Sequence, residues 1–412
     1  MAITRVSVQC CIVGGGPAGM MLGLLLARAG IQVAVLEKHA DFLRDFRGDT
    51  IHPSTLQLMH ELGLLDEFLT LPHQQVRRLT GRVGRFEVVI ADFSHLRTQC
   101  RFIAFMPQWD FLNFLAARAA RYPGFNLHLR TDATDLLEEA GRVVGVRAAG
   151  PAGPIEVSTA LVVGADGRGS IVREKAGLRG REVGAPLDVL WFRLSRQASD
   201  PEQTMGRFDV GRIFIAINRG EHWQCGYVIP KGSLEEIRAR GLDAFRAAVA
   251  ALAPYLADRV RELSGWDDVK LLTVRVDRLE RWYRPGLLCI GDAAHAMSPV
   301  GGVGINLAVQ DAVATANLLV EPLRAGRITA AHLRRVQRRR ELPTRLTQKF
   351  QVLVQNRVIS RVLESSRELR PPAVLRLLTR WPVLRRIPAR LIGLGVRPEH
   401  VRTPAVDIRA NV

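Results

Sequence analysis

Val8-Gln9-Cys10-Cys11-Ile12-Val13-Gly14-Gly15-Gly16-Pro17-Ala18-Gly19 is the stretch that decides the fold of this 412-residue chain. The apolar run ending at Val13 is a buried strand, and the six residues after it turn the chain into a helix. Gly14, Gly16 and Gly19 stand at Gly-x-Gly-x-x-Gly spacing. The first allows a tight turn, the second lets a pyrophosphate approach the backbone, and the third lets helix pack on strand. Pro17 suits the first helical position, where its missing N–H costs nothing. The helix extends to about Ala29 and stops at Gly30; a second strand, Gln32 to Leu36, then leads to Glu37. An acid there accepts hydrogen bonds from an adenosine ribose, with Lys38 beside it. Strand, turn, helix, strand and acid in this order predict a Rossmann-like α/β domain. Gly14, Gly16, Pro17, Ala18 and Gly19 would cradle a dinucleotide at the helix N-terminus.

Two further glycine turns complete the pattern. Gly286 to Ile290 reads as a short buried strand, followed by Gly291-Asp292-Ala293-Ala294-His295 and then Met297-Ser298-Pro299-Val300-Gly301-Gly302-Val303-Gly304-Ile305-Asn306. Asp292 offers a carboxylate to hydroxyls, and the glycines let backbone approach a flat ligand. A helix from Ile305 through Leu319 would aim its N–H groups and positive dipole end at that ligand. Such a site suits a ligand with polyol hydroxyls at one end and a ring that becomes negatively charged, as reduced flavin does. Between the two lies Leu161-Val162-Val163-Gly164-Ala165-Asp166-Gly167-Arg168-Gly169-Ser170, a strand, a turn and a helix opened by Ser170. Asp166 is either a ligand contact or the cap of that helix.

Composition agrees with a large soluble core: 47% of residues are hydrophobic, ordinary for a globular protein. Cys10, Cys11, Cys100, Cys225 and Cys289 are an odd count without metal-ligand spacing, so buried free thiols in a reducing compartment are expected. Residues 1 to 8 lack a signal-peptide layout and no long uninterrupted apolar run suggests a membrane span, which points to the cytoplasm. The net charge of +18 is concentrated after residue 320, where 21 Lys/Arg face 6 Asp/Glu. Leu375, Leu377, Leu378, Trp381, Val383, Leu384 and Ile387 there alternate with Arg376, Arg380, Arg385 and Arg386. This tail either lies on an anionic bilayer surface or packs on the body with arginine stems covering apolar surface, and we expect the second. No nucleic-acid module accompanies the charge, so nucleic acid is not an expected partner.

The three turns, in this order, resemble the single-component FAD-dependent monooxygenases of the para-hydroxybenzoate hydroxylase type, whose superfamily includes the ubiquinone-biosynthesis hydroxylases. The likeness covers roughly residues 6 to 340. It implies FAD on Gly14, Gly16, Gly19 and Glu37, with Arg47 reaching the pyrophosphate and Gln108 touching the flavin. Asp166 and Gly167 would serve both FAD and a nicotinamide cofactor. Gly291 and Asp292 would meet the ribityl chain, and Pro299, Gly302, Gly304, Ile305 and Asn306 would lie under the isoalloxazine ring. The fold implied is a cofactor domain (1–72, 100–182 and 280–340), a substrate domain with an inserted antiparallel sheet (73–99 and 183–279), and a basic helical region (341–412). Strands are expected around Val83, Phe86, Val88 and Ile90, at Val189–Leu194, at Arg212–Ile217 and at Trp223–Ile229. A helix from Leu234 to Leu252 would cover one face of that sheet. Pro343, Pro371, Pro372, Pro382 and Pro388 would divide the basic region into short helices.

The resemblance also implies the chemistry. NAD(P)H reduces FAD, O₂ adds at the flavin C4a carbon, and the hydroperoxide hydroxylates a phenolic, quinone-precursor or polyketide-like aromatic. His52 is the candidate base for a phenol, with backbone bonding ahead of a helix as the competing reading. Pro299 and Tyr227 are further catalytic candidates, although core packing is the default for Tyr227 and Trp191. Flavin-dependent halogenases carry Trp-x-Trp-x-Ile-Pro; Cys225 and Tyr227 stand at those tryptophan positions before Ile229-Pro230, which disfavours halogenation. An FAD-dependent reductase of an isoprenoid or other lipophilic substrate is the alternative.

Overall fold

A computed structural model describes residues 3–43, 50–202, 204–367 and 369–406. Its first sheet is built from the strands the glycine turns follow. Thr4–Val13 lies at the centre, paired in parallel with Gly153–Gly164 on one side and Val33–Leu36 on the other. Phe125–His128 and Leu287–Cys289 continue the parallel sheet at either end, and Tyr283–Arg284 closes one edge. The inner strands are continuous apolar runs, as expected where helices cover both faces. The helices Pro17–Arg28, Gln108–Ala119 and Gly304–Arg324 pack with this sheet in the largest core. The helix Gly304–Arg324 is long and apolar enough to span a bilayer by composition, yet most of it is buried in that core.

A second sheet runs in the order Lys270–Leu272, Leu187–Ser195, His222–Pro230, Arg212–Asn218, Met205–Asp209, Arg78–Val83 and Phe86–Asp92. Segments distant in sequence thus merge into one sheet. The join is a short parallel pairing of Arg207 and Phe208 with Arg82 and Val83, while the other pairs are antiparallel. Alternation sorts the side chains. Leu190, Phe192, Phe214, Trp223 and Cys225 form one core with the helix Leu242–Leu252. Val189, Trp191, Ile213, Ile217 and Val228 face the opposite way, into a cluster with Phe93, Phe105, Ile359 and Ala389. The helix expected over Leu234–Leu252 is interrupted, because Gly241 adopts φ 89° between Leu234–Ala239 and Leu242–Leu252.

The basic region departs from its expected punctuation. Pro343 does not end a helix; it lies inside Ala330–Val354, which also runs through the expected boundary at 340. Interior proline removes a backbone donor at a cost of about 3 kcal/mol. Here buried Val336, Arg340, Thr344 and Gln348 fix the helix on both sides of it. Pro372 and Pro382 do flank short elements, Ala373–Arg380 and Pro382–Arg385, and Pro388 sits in the first turn of Arg386–Gly393, where no N–H is missed. All five cysteines are free and buried.

Candidate functional site

The three glycine turns meet. Ala165 N–H donates to Val13 O at 2.7 Å, and Gly14 N–H donates to Leu36 O at 2.8 Å. Gly14 has φ 104°, and a Cβ there would lie 2.5 Å from Ala165 O. A Cβ on Gly19 would overlap Gly14 O, so the helix sits directly on the turn. A Cβ on Gly291 would come within 3.1 Å of Ala18 Cβ and 3.3 Å of Ala308 Cβ, which joins the third turn to the first helix. Neither Pro17–Arg28 nor Gly304–Arg324 has a side-chain cap at its N-terminus. Their first N–H groups are therefore left for an outside acceptor. Gly167, at φ 83°, and Gly169 border open space. Uncapped helix ends, close backbone approach and open glycines fit an extended dinucleotide with a flat ring.

Individual side chains are placed as follows. Glu37 is buried, and its carboxylate accepts Gly15 N–H at 2.9 Å and lies 2.5 Å from His39 Nδ1. It holds the turn as well as closing the strand. Lys38 is exposed beside it, and Gln108 is half-buried at the start of its helix. Arg47 lies outside the described residues. Asp166 accepts Ser170 Oγ at 2.5 Å and Val172 N–H at 3.2 Å, so its carboxylate caps the helix Ile171–Lys175. Burial raises its pKa despite those bonds. The group from that turn that reaches toward the third turn is Arg168, whose Nε donates to Asp292 Oδ2 at 3.2 Å. Sequence reasoning missed Arg168. Its position two residues after Asp166, on a turn that has to face the ligand, was the available signal.

The third turn is held from behind by buried side chains. Asp311 accepts Gly291 N–H at 3.1 Å and Arg340 Nε at 2.9 Å, and lies 2.5 Å from His295 Nε2. Burial pushes the Asp311 carboxyl up, but His295 and Arg340 outweigh it and hold it below the ordinary value. His295 is fully packed against Trp282, a structural placement. A row of glutamines continues the support. Gln348 Nε2 donates to Ala296 O at 3.0 Å; Gln351 Nε2 donates to Ser298 O at 2.9 Å and Val300 O at 2.8 Å; Gln355 Nε2 donates to Ser298 Oγ at 2.7 Å. The three- and four-residue spacing of these glutamines is visible in the sequence, but nothing local names their partners. In front, Pro299 through Gly304 stay partly accessible. Gly302, at φ 62°, accepts Thr50 Oγ at 2.8 Å. Ile305 and Asn306 are buried, and Asn306 spends both amide atoms on protein: its Oδ1 accepts His52 N–H at 2.8 Å and Thr55 Oγ at 2.7 Å, and its Nδ2 donates to Thr50 O at 3.1 Å.

The catalytic candidates divide. Tyr227 is turned away from the turns, packing edge-on against Phe245 at 5.4 Å in the core beneath Leu242–Leu252. Period-two alternation places it on that face, and burial raises its pKa. His52 is fully buried. Its Nδ1 lies 2.8 Å from Ile392 O, its Nε2 has no partner, and burial lowers its pKa to about 4. Pro299 stands at the accessible edge of the third turn. Trp191 lies in the cluster that also takes in Val300, and buried Gln224 on the same sheet accepts Arg219 Nε at 3.1 Å. Arg219 is also within electrostatic reach of Asp110, on the first turn of the Gln108 helix, whose pKa burial nevertheless raises.

Comparison with known proteins agrees with this geometry. Residues 7–349 match the family model described as FAD binding domain. The chain is 33% identical to 6-methylpretetramide 4-monooxygenase of Streptomyces rimosus, over 95% of this chain and 94% of that protein. It is 31% identical to 12-dehydrotetracycline 5-monooxygenase/anhydrotetracycline 6-monooxygenase of a Streptomyces rimosus strain, over 73% of this chain and 60% of that one. Among solved structures it resembles the anhydrotetracycline hydroxylase OxyS from Streptomyces rimosus, with a TM-score of 0.73 and 26% identity over 96% of this chain and 77% of the other. The fold is shared with p-nitrophenol 4-monooxygenase of Pseudomonas putida DLL-E4, at a TM-score of 0.76 and 21% identity over 96% of this chain and 100% of the other. The chain therefore belongs to the FAD binding domain family of aromatic hydroxylases and is an FAD-dependent monooxygenase.

Proposed function

We propose that this monooxygenase, reduced by NAD(P)H, hydroxylates a fused-ring phenolic polyketide. The observation that carries the reading is the partly accessible edge of the third turn at residues 299–304, beside which the buried apolar cluster of Val189, Trp191, Ile213 and Val228 packs on Val300. Relatives named for tetracycline-type substrates support the substrate class. When bound, FAD supplies the two-electron and O₂ chemistry.

The chain's own residues bind, orient and exclude water. Gly14, Gly16, Pro17, Ala18 and Gly19 would hold the pyrophosphate, with Glu37 and Lys38 at the adenosine end and Gln108, Gly167 and Asp292 along the remainder. Arg168 would give up or share Asp292 when the ribityl hydroxyls arrive. With FAD bound, the uncapped N-terminus at Gly304 would stabilise negative charge on the ring. The apolar cluster packed against Val300 would help keep water from the reacting carbon. His52 is assigned a positioning part. A neutral imidazole with a pKa near 4, anchored on Ile392 O, is a poor proton acceptor for a phenol and a good brace for the loop before Pro53. Asp110 and Arg219, which lie within electrostatic reach of each other, are the polar groups assigned to substrate hydroxyls.

The test is turnover of FAD-loaded protein with NADH or NADPH, labelled O₂ and a panel of phenols and polycyclic aromatics. We expect faster NAD(P)H oxidation with the polycyclic phenols and one labelled oxygen in the product. Saturated isoprenoid product without labelled oxygen would replace this reading by a reductase. The absence of stimulation across the panel would remove the substrate class.

A further inference from the structure

We propose that the helix pair Ala373–Arg380 and Arg386–Gly393 is a docking surface for an anionic lipid bilayer. The pair has a fixed inner side. Ala389 is fully buried, and a Cβ added at Gly393 would press on Leu96 and Phe93, so this helix is seated on the protein without slack. The outer side is open and apolar. Val374 is 68% exposed, Leu377 50%, Trp381 59%, Val383 55% and Ile387 68%. Val374, Leu377 and Trp381 follow helical spacing, as do Val383 and Ile387, so the exposed groups form a face rather than scattered points.

The charge around this face chooses its occupant. Residues 370–398 contain Arg370, Arg376, Arg380, Arg385, Arg386, Arg390 and Arg397, with no Lys, Asp or Glu. Arg376, Arg380, Arg386 and Arg390 are exposed, and among the described residues no carboxylate lies within ion-pair distance of them. A second copy of the chain would bring the same cations against each other, on a protein already at +18. A bilayer carrying anionic headgroups meets both halves of the face: acyl chains for Leu377, Trp381 and Ile387, and phosphates for the guanidinium rim, whose long stems let the charge stay at the interface. Tryptophan favours that depth. Because Ile392 O on the same helix accepts His52 Nδ1–H, the docked face would lie about one helix diameter, ~10 Å, from the site loop.

The experiment is co-sedimentation of the full-length, FAD-loaded protein with vesicles of equimolar phosphatidylglycerol and phosphatidylcholine, compared with phosphatidylcholine alone. We expect at least about tenfold stronger partition to the anionic vesicles, falling as salt rises. Leu377→Ser combined with Trp381→Ser should lower that partition by about tenfold or more. Flavin absorbance and the thermal midpoint should be unchanged, showing that the variant is folded. Arg376→Gln with Arg380→Gln should remove the preference for anionic lipid. Equal partition to both vesicles, or full binding by the folded Leu377/Trp381 variant, would overturn the proposal. So would light scattering in the absence of lipid that shows a dimer dissolved by the same variant, since the occupant would then be a second copy.

Discussion

The first and third glycine turns face one ligand site but are held in opposite ways. The turn at Gly14–Gly19 is fixed mainly by backbone against backbone (Val13, Leu36, Ala165 and the helix it opens), with the Glu37 carboxylate adding a side-chain hold at Gly15 N–H. The turn at Gly291–Gly304 is fixed by side chains from later helices: Asp311, Arg340, Gln348, Gln351 and Gln355. A backbone-held turn tolerates no added atom, because nothing flexible can yield. A side-chain-held turn tolerates atoms more readily but depends on every buried partner being present. The two halves should therefore fail differently.

Gly19→Val tests the backbone-held turn and should have the largest effect. Its side chain would force Pro17–Arg28 off the first strand. We expect purified protein without bound flavin, with FAD affinity down more than about a hundredfold if it folds at all. Near-normal flavin absorbance would show that the turn can yield. Arg340→Leu tests the side-chain-held turn. Removing this guanidinium leaves buried Asp311 with only His295 and the Gly291 N–H beside it, at an expected cost of about 3–5 kcal/mol in urea unfolding. A loss under about 1 kcal/mol would mean that the ion pair contributes little beyond an apolar isostere.

His52 joins the third turn to the C-terminal helices, and its contribution depends on pH. Its folded pKa is about 4 against an ordinary value of 6.5, so the unfolded chain binds a proton that the folded chain refuses between those values. Stability therefore falls as pH drops through that window, by about 3 kcal/mol in total, and is fully present above it. His52→Gln should flatten that part of the pH–stability curve. An unaltered curve would assign the slope to other groups. Gln351→Leu should be the mildest change, at about 1–3 kcal/mol for leaving Ser298 and Val300 backbone groups unpaired. It should also shift the flavin's visible spectrum and raise peroxide release per NAD(P)H, which a loss of stability alone would not do.

Much of this was legible in the chain. Gly14, Gly16 and Gly19 announce themselves because backbone geometry is a local property, and strand, turn and helix each carry their own periodicity. The alternation of Leu187–Ser195, Arg212–Asn218 and His222–Pro230 was equally plain. Asp166 was read as a ligand contact or a cap, and its carboxylate caps. Tyr227 was a catalytic candidate with core packing as the default, and it packs in the core; the sheet's alternation was visible but not which face looks toward the turns. Pro343 was taken as a break because the contacts that carry a helix through proline come from elsewhere in the chain.

The sequence by itself determined the nucleotide-binding architecture, since spacing of glycines and apolar residues fixes local conformation without reference to distant groups. Only the tertiary structure decided that Arg168 reaches Asp292, that a row of glutamines supports the Ser298–Val300 segment, and that Ile392 anchors His52. Those contacts pair residues far apart in sequence. A buried polar atom takes whichever partner the packed fold brings within hydrogen-bond reach, and no local pattern names that partner.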